Sequence, residues 1–384
     1  SNNYPINHHP ANKLAGLIFI PLYTMKKVAI IGTVGVPANY GGFETLVEQL
    51  VRHNSSDDLQ YAVYCSKKSY DEERWVYHGA KTEYVDLSAN GIQSIPYDIV
   101  SLIKASRRSD VILILGVSGC AFLPIFRLFS KKKLVINIDG LEHRRDKWNK
   151  WVRRFLKFSE KQAVKYGDVI VTDNQGITDY VTEEYGKKSA LIAYGGDQVI
   201  QDISEAEAIK TLTKYNLESE GYSLAICRIE PENNVHTILE AFSKTPDKNL
   251  VFVGNWTKSA YGKEMMERYS KFPNIKIQPA IYDLRILNVL RSNCQFYLHG
   301  HSAGGTNPSL VEAMFFGKPI LAFDCVYNRE STENKAEYFT STTDLIARLT
   351  NKLVNHSENG SAMAEIADRR YRWETISRQY ESLF

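Results

Sequence analysis

Long hydrophobic runs are missing from this 384-residue sequence: no apolar stretch reaches the roughly 18 to 20 residues that span a bilayer, which excludes a membrane-crossing helix. Cysteine is sparse. The five present, Cys65, Cys120, Cys227, Cys294 and Cys325, stand singly with no Cys-x-x-Cys pair, so a disulfide framework is not expected and a reducing, cytoplasmic compartment fits. A charge excess of one sign is absent too, since a net charge of +3 makes no case for nucleic acid as a partner. The nine histidines are dispersed, and the His299-Gly300-His301 pair has no carboxylate or cysteine cluster beside it, so no metal is expected. The first glycine loop lacks Gly-x-Gly-x-x-Gly spacing, and no acidic residue follows the second strand in the expected context, which argues against a dehydrogenase.

What is present is a chain longer than one hydrophobic core usually supports, with an ordinary 43% hydrophobic content, so two domains are the natural expectation. Lys27 to Gly32 is a β-branched run ending in glycine, followed by the loop TVGVPANYGG and the helical pattern FETLVEQLVRH. Similar runs recur at 61–65, 110–116, 133–140 and 168–174. A second series occupies 222–229, 249–255, 274–281, 294–300 and 318–324. Strands alternating with helices imply two α/β, Rossmann-like, doubly wound parallel sheets facing each other across a cleft. The expected bounds are 25–197 and 198–371, with the hinge near Tyr194 to Asp202. Residues 372–384 form an amphipathic helix, with Trp373, Ile376, Tyr380 and Leu383 on one face, that crosses back to the first domain. Because Met25 starts the clean segment MKKVAIIGT, residues 1–24 are expected to be an extension or leader outside the fold.

Ligands of such sheets sit beyond the carboxyl ends of the strands, where loops 33–42 and 300–307 fall. The strongest chemical signal is HGHSAGGTNPSLVEAMFFGKPILAF, residues 299–323. Gly304 and Gly305 allow close backbone approach, Thr306 or Asn307 can cap a helix, and Pro308 suits its first position. A diphosphate is the natural guest of those free amides, and Glu312, one turn further in, is placed to accept from a ribose diol. The same pattern also describes a capped structural helix with a surface glutamate.

This stretch resembles the nucleotide-sugar motif of glycosyltransferase family 4: a Glu, seven residues, a second Glu, then Ala and a Gly-x-Pro step. Glu312-Ala313-Met314 and Gly317-Lys318-Pro319 match it, whereas the first glutamate is replaced by Gly304. CRIEPENNVHTILEAF, residues 227–242, resembles the family's strand-end Arg followed by an acidic residue and Lys. Arg228 is present and the lysine position holds Asn233. The alternative for Arg228 is a surface ion pair with Glu230 or Glu232. GTVGVPANYGGFETLVEQL, residues 32–50, is similar to the family's Gly-Gly-x-Glu loop, and Asp197 in AYGGD to its junction segment. Together with NIDGLEHRRDKW these motifs look most like a bacterial rhamnosyltransferase subgroup.

The resemblance implies a GT-B fold and a retaining, metal-independent transferase. An acceptor-side domain at 25–197 would precede a nucleotide-sugar-binding domain at 198–371. The donor would be a dTDP- or UDP-sugar, with dTDP-rhamnose the best match, and the acceptor a saccharide or lipid-diphosphate-linked sugar of bacterial cell-surface polysaccharide. Arg228 and Asp139 are the expected catalytic residues. Gly41, Gly42, Arg228, Asn233, Gly304, Gly305, Thr306, Asn307 and Glu312 are the expected donor contacts, and Phe43, Glu44 and His143 the acceptor-side ones. Asp139 also reads as a loop aspartate making a turn before Gly140. With no paired acid and base in view, preorganised positive charge on the departing diphosphate is the expected source of catalysis. A nucleotide-sugar epimerase and a non-catalytic nucleotide- or carbohydrate-binding protein stay open as alternatives.

Charge is unevenly spread. Between His143 and Lys161 stand eight Lys or Arg residues against Asp146 and Glu160, interleaved with Trp148, Trp151, Phe155 and Phe158 at helical spacing. This segment reads either as a peripheral contact with an anionic membrane surface or lipid-linked acceptor, or as the core stripe of a helix whose other face is solvated.

Overall fold

The computed structural model describes residues 25–38, 41–138, 140–144, 148–350 and 356–384. The expectations for residues 1–24 and for Asp139 lie outside them. The first sheet has eight strands: β1 (Lys26–Ile31), β2 (Leu59–Ser66), β3 (Val76–Tyr77), β4 (Ala80–Val85), β5 (Val111–Leu115), β6 (Lys133–Asn137), β7 (Val169–Thr172) and β8 (Ala190–Leu191). Their order is β3-β4-β2-β1-β5-β6-β7-β8, parallel apart from the antiparallel β3–β4 edge. The central strands are buried on both faces, as Val28 to Ile31 and Val111 to Leu115 show, which is why they read as unbroken apolar runs.

Helices cover both faces of this sheet. α1 (Gly42–Arg52) packs on one; α2 (Ser94–Arg108), α3 (Leu123–Phe126), α4 (Lys150–Tyr166) and α5 (Gln175–Tyr185) cover the other. Beyond the hinge come α6 (Glu205–Lys214), β9 (Ser223–Ile226), α7 (Val235–Ser243), β10 (Leu250–Val253), α8 (Ala260–Tyr269), β11 (Ile275–Gln278), α9 (Leu284–Ser292) and β12 (Phe296–His299). They are followed by α10 (Pro308–Met314), β13 (Ile320–Phe323), α11 (Val326–Ser331), β14 (Glu337–Phe339), α12 (Thr342–Thr350), α13 (His356–Arg370) and α14 (Trp373–Glu381). This second sheet is all parallel, in the order β11-β10-β9-β12-β13-β14.

In each sheet the winding direction reverses once, between β1 and β5 and between β9 and β12. The loops leaving those strands diverge and open a crevice at the carboxyl edge. The chain crosses between domains twice. At the first crossing Gly196 N–H donates to Tyr371 O (2.8 Å); at the second, Asp197 accepts from Trp373 N–H (2.9 Å) and caps α14. α14 then buries Trp373, Ile376 and Tyr380, and the residues after it bury Phe384, in the core beneath β1 and α1, and Asn137 donates to the Tyr380 hydroxyl (2.8 Å).

The basic segment differs from its sequence pattern in one respect. Trp148 precedes α4, and Phe155 is half-buried, whereas Trp151 and Phe158 are 76% and 50% exposed. On α4 the positions 151, 155 and 158 fall within about 60° of one another, so these three aromatics share one side of the helix, and that side is partly or fully exposed instead of forming the core stripe. The buried positions of α4 are Ser159, Glu160, Gln162, Ala163 and Val164; Ser159 and Ala163 are small enough to let the helix approach the sheet closely.

Candidate active site

Arg228 lies just past β9, exposed, and its guanidinium makes no hydrogen bond or ion pair among the described residues. The alternative pairing with Glu230 or Glu232 is not formed. Its backbone is fixed instead: Asn233 Nδ2 donates to Arg228 O (2.6 Å), and Asn233 Oδ1 lies 2.6 Å from His301 Nδ1. An amide oxygen only accepts, so the His301 ring carries its proton on Nδ1. Ser302 donates through N–H and Oγ to Glu232 O, and Asn234 Nδ2 to Gly300 O (2.8 Å). These bonds stitch the β9 and β12 loops together, and a side chain at Gly300 would strike Asn233 O. His299, wholly buried at the end of β12, is pushed down to about 3 by burial and then by His301, and is neutral.

The glycine-rich loop meets the first domain directly. A Cβ on Gly140 would sit 2.5 Å from Gly304 O, and one on Gly304 would touch Ile177, Gly140 and Tyr327. A β-carbon at position 304 would thus make ordinary contact with two residues of the first domain and one of the second. Gly305 adopts φ +90°, open to glycine, and its missing side chain leaves room for the Asp173 carboxylate. Thr306 N–H donates to that carboxylate (3.2 Å) and Thr306 Oγ1 to Asp173 O. Asn174, fully buried, donates to Glu330 (2.9 Å) and to Tyr327 O (3.2 Å) on α11 while its own oxygen caps α5. Asn307 caps α10 by accepting from Ser309 N–H (3.0 Å) and Ser309 Oγ (2.8 Å), with Pro308 at the first position.

Glu312 is held on both oxygens: Gln198 Nε2 donates to one (2.9 Å) and the Arg291 guanidinium to the other. Arg291 is 2% exposed and shielded inside the second domain. Burial pushes the Glu312 carboxyl up and Arg291 opposes this. Gln198 in turn accepts from Trp373 Nε1 (2.6 Å), so a single hydrogen-bonded chain runs from the start of α14 through the hinge to Glu312.

On the first domain, Gly41, Gly42 and Phe43 open α1, Gly42 lying against the Tyr194 ring and Phe43 near Gly116. Glu44 is committed to its own loop, accepting from Thr33 Oγ1 (2.9 Å) and Val34 N–H (3.0 Å), while Glu48 accepts from Ala38 N–H (2.6 Å). His143, placed just after β6, is oriented by Glu160 (2.9 Å), whose other oxygen accepts from the Tyr180 and Tyr185 hydroxyls (2.6 Å each). Burial alone would raise the Glu160 carboxyl, but His143 and the two tyrosines together hold it below the usual range. No group of three or more His, Cys, Asp or Glu residues disposed to hold a metal occurs among the described residues. Asp173, Asn174, Glu160 and Arg291 escaped sequence reasoning. Only the Asp-Asn pair at the end of the β7 run gave a local cue, as a helix cap.

Residues 209–370 match the family model of glycosyl transferases group 1. Sucrose-phosphate synthase from Thermosynechococcus elongatus superposes with a TM-score of 0.76 at 15% identity, over 93% of this chain and 98% of that one. Anabaena Alr3699/HepE in complex with UDP gives 0.72 at 15%, over 93% and 99%. The catalytic domain of starch synthase IV from Arabidopsis thaliana, bound to ADP and acarbose, gives 0.70 at 11%, over 94% and 98%. No curated protein sequence matches. The protein is a glycosyltransferase of the GT-B fold, its class defined by the second domain and by the paired sheets. Its first domain matches a second model over residues 25–197, that of a domain of unknown function (DUF1972).

Proposed function

We propose that this glycosyltransferase belongs to family 4 and is retaining and metal-independent, moving L-rhamnose from dTDP-rhamnose to a saccharide or lipid-diphosphate-linked acceptor of bacterial cell-surface polysaccharide, in the cytoplasm. Arg228 carries the reading: an exposed guanidinium with no described partner, on a loop tied to the glycine-rich loop's own strand, at the crevice edge of β9 and β12. A permanently charged fork there suits a departing diphosphate. Glu312, held by Gln198 and Arg291, is the ribose contact, and Gly304 to Asn307 border the donor. As the diphosphate leaves, the anomeric carbon gains oxocarbenium character and the acceptor hydroxyl attacks from the same face. A phosphate oxygen takes the hydroxyl proton, which makes a paired acid and base unnecessary. Asp139, just before Gly140, is the proposed first-domain contact to the sugar, and Phe43 and His143 border the acceptor.

Rhamnose is favoured by the GGTNPSLVEAM match and by glycine at 304, which withdraws the family's usual sugar carboxylate. A UDP-sugar is the other donor to examine, since the Anabaena relative is a UDP complex. The test offers dTDP-rhamnose, UDP-glucose, UDP-N-acetylglucosamine and GDP-mannose with lipid-linked and free saccharide acceptors, reading product mass and the anomeric configuration by NMR. Transfer from dTDP-rhamnose with retained configuration, undiminished by chelator, is expected. An isomerised donor without transfer product would mark an epimerase, and binding without turnover a non-catalytic protein; either overturns the reading.

A further inference from the structure

We propose that the outer face of α2, α3 and α4 is a docking surface for an anionic phospholipid bilayer, used by the protein as a peripheral membrane contact. The residues at 151, 154, 158, 161 and 165, alternately three and four apart, are the exposed ones that run down one side of α4: Trp151, Arg154, Phe158, Lys161 and Lys165. That stripe extends about 21 Å along the helix. It mixes aromatic and cationic side chains, with the Arg154 guanidinium 5.4 Å over the Trp151 ring.

A second segment completes the surface, and it was not evident from the basic run alone. Arg127, on the turn leaving α3, donates to Tyr166 O at the end of α4 and anchors the turn there. α3 and this turn present Ile125, Leu128 and Phe129 at 55%, 85% and 57% exposure. Beside them Arg107, Lys131 and Lys132 join Phe129 around an open depression between α2 and the turn.

Charge decides the partner. From Val111 to Gly167 the acidic side chains among the described residues are Glu142 and Glu160; the first accepts from Trp148 Nε1 and the second is buried under His143 and two tyrosines. The patch is bordered by Asp110, by Asp168 paired with Arg127, and by Asp179, Glu183 and Glu184 on α5. Large exposed apolar groups ringed by cations, with acids only at the margin, match a layer of anionic headgroups over hydrocarbon. Aromatic and aliphatic tips enter the headgroup boundary while Lys and Arg stay at the phosphates. A protein partner of this chemistry would have to be strongly acidic, and a second copy of this chain would bring cation against cation.

The full-length protein is sedimented with phosphatidylcholine vesicles, with and without phosphatidylglycerol, at low and high salt. Binding to the anionic vesicles at low salt, weakening with salt, is expected. Lys161→Glu with Lys165→Glu should weaken it about tenfold or more. Leu128→Asp with Trp151→Asp should abolish it with an unchanged melting temperature, since both side chains are exposed. Equal binding to neutral vesicles, no binding at low salt, or full binding by these variants overturns the proposal. So does a dimer of the wild-type protein that the same variants dissolve. Turnover of donor with a water-soluble acceptor is measured alongside: its absence in the wild type counts against the proposed transfer and leaves the docking result standing.

Discussion

Thr306 in the second domain gives its amide hydrogen to the carboxylate of Asp173 in the first, across 3.2 Å, and both residues are almost fully buried. The bond ties the loop proposed to border the donor to the opposite domain. Removing Asp173 leaves a buried amide without its acceptor, at a cost of about 1 to 3 kcal/mol. Asp173→Ala should therefore lower the melting temperature by several degrees and cut donor turnover at least tenfold. Scanning calorimetry with a coupled nucleotide-release assay reads both, and unaltered turnover would separate the joint from catalysis.

Arg228 offers the opposite case, because its guanidinium supports no described packing. Arg228→Ala should leave thermal stability unchanged while reducing kcat/KM by roughly 10² to 10³, the usual cost of losing a preorganised donor to developing charge. Arg228→Lys keeps the charge but loses the fork, so partial recovery is expected. Steady-state kinetics on the folded variants decide it.

For Arg291 and Glu312, the shielded cation sits inside the domain and breaking the pair strands a charge. Arg291→Met should destabilise by about 3 to 5 kcal/mol, with Arg291→Met/Glu312→Gln recovering most of that. Chemical denaturation of the two variants tests it. If the double variant is as unstable as the single one, the stranded carboxylate is not the cause.

Asp98 gives the pH prediction. It is 6% exposed beside Ser118, and burial pushes its carboxyl up to about 7 from an ordinary 3.8. The folded state therefore keeps a proton that the unfolded chain has lost, and stability falls as pH rises from about 4 to about 7, with a slope of roughly 1.4 kcal/mol per pH unit at its steepest. Asp98→Asn should flatten that decline in melting experiments across the window. A wild-type curve that rises there instead would contradict the assignment.

The repeated strands and the two sheets were legible because parallel, doubly buried strands leave unbroken apolar runs such as VILIL and KLVIN. The β9 and β12 loops were legible through Arg228 and the glycine motif. Contacts between distant segments were not: Asp173 meets Thr306, and Asn174 meets Glu330, only because two domains close on each other. Glu44 was suggested as an acceptor-side contact by the resemblance of its loop, and what the sequence did not show is that one of its oxygens also accepts from Thr33 and Val34 of that loop. On α4, spacing grouped the aromatics on one side of the helix but did not settle whether that side met the core or the solvent; the sheet packs on the side of Ser159 and Ala163 instead.

Placing Trp373, Ile376, Tyr380 and Phe384 beneath β1 has a consequence for biogenesis. The first domain's strands leave the ribosome early, but the side chains that seal one of their faces are translated only after the whole transferase domain. During synthesis the apolar surface of β1 and α1 is left without this cover until α14 has been made.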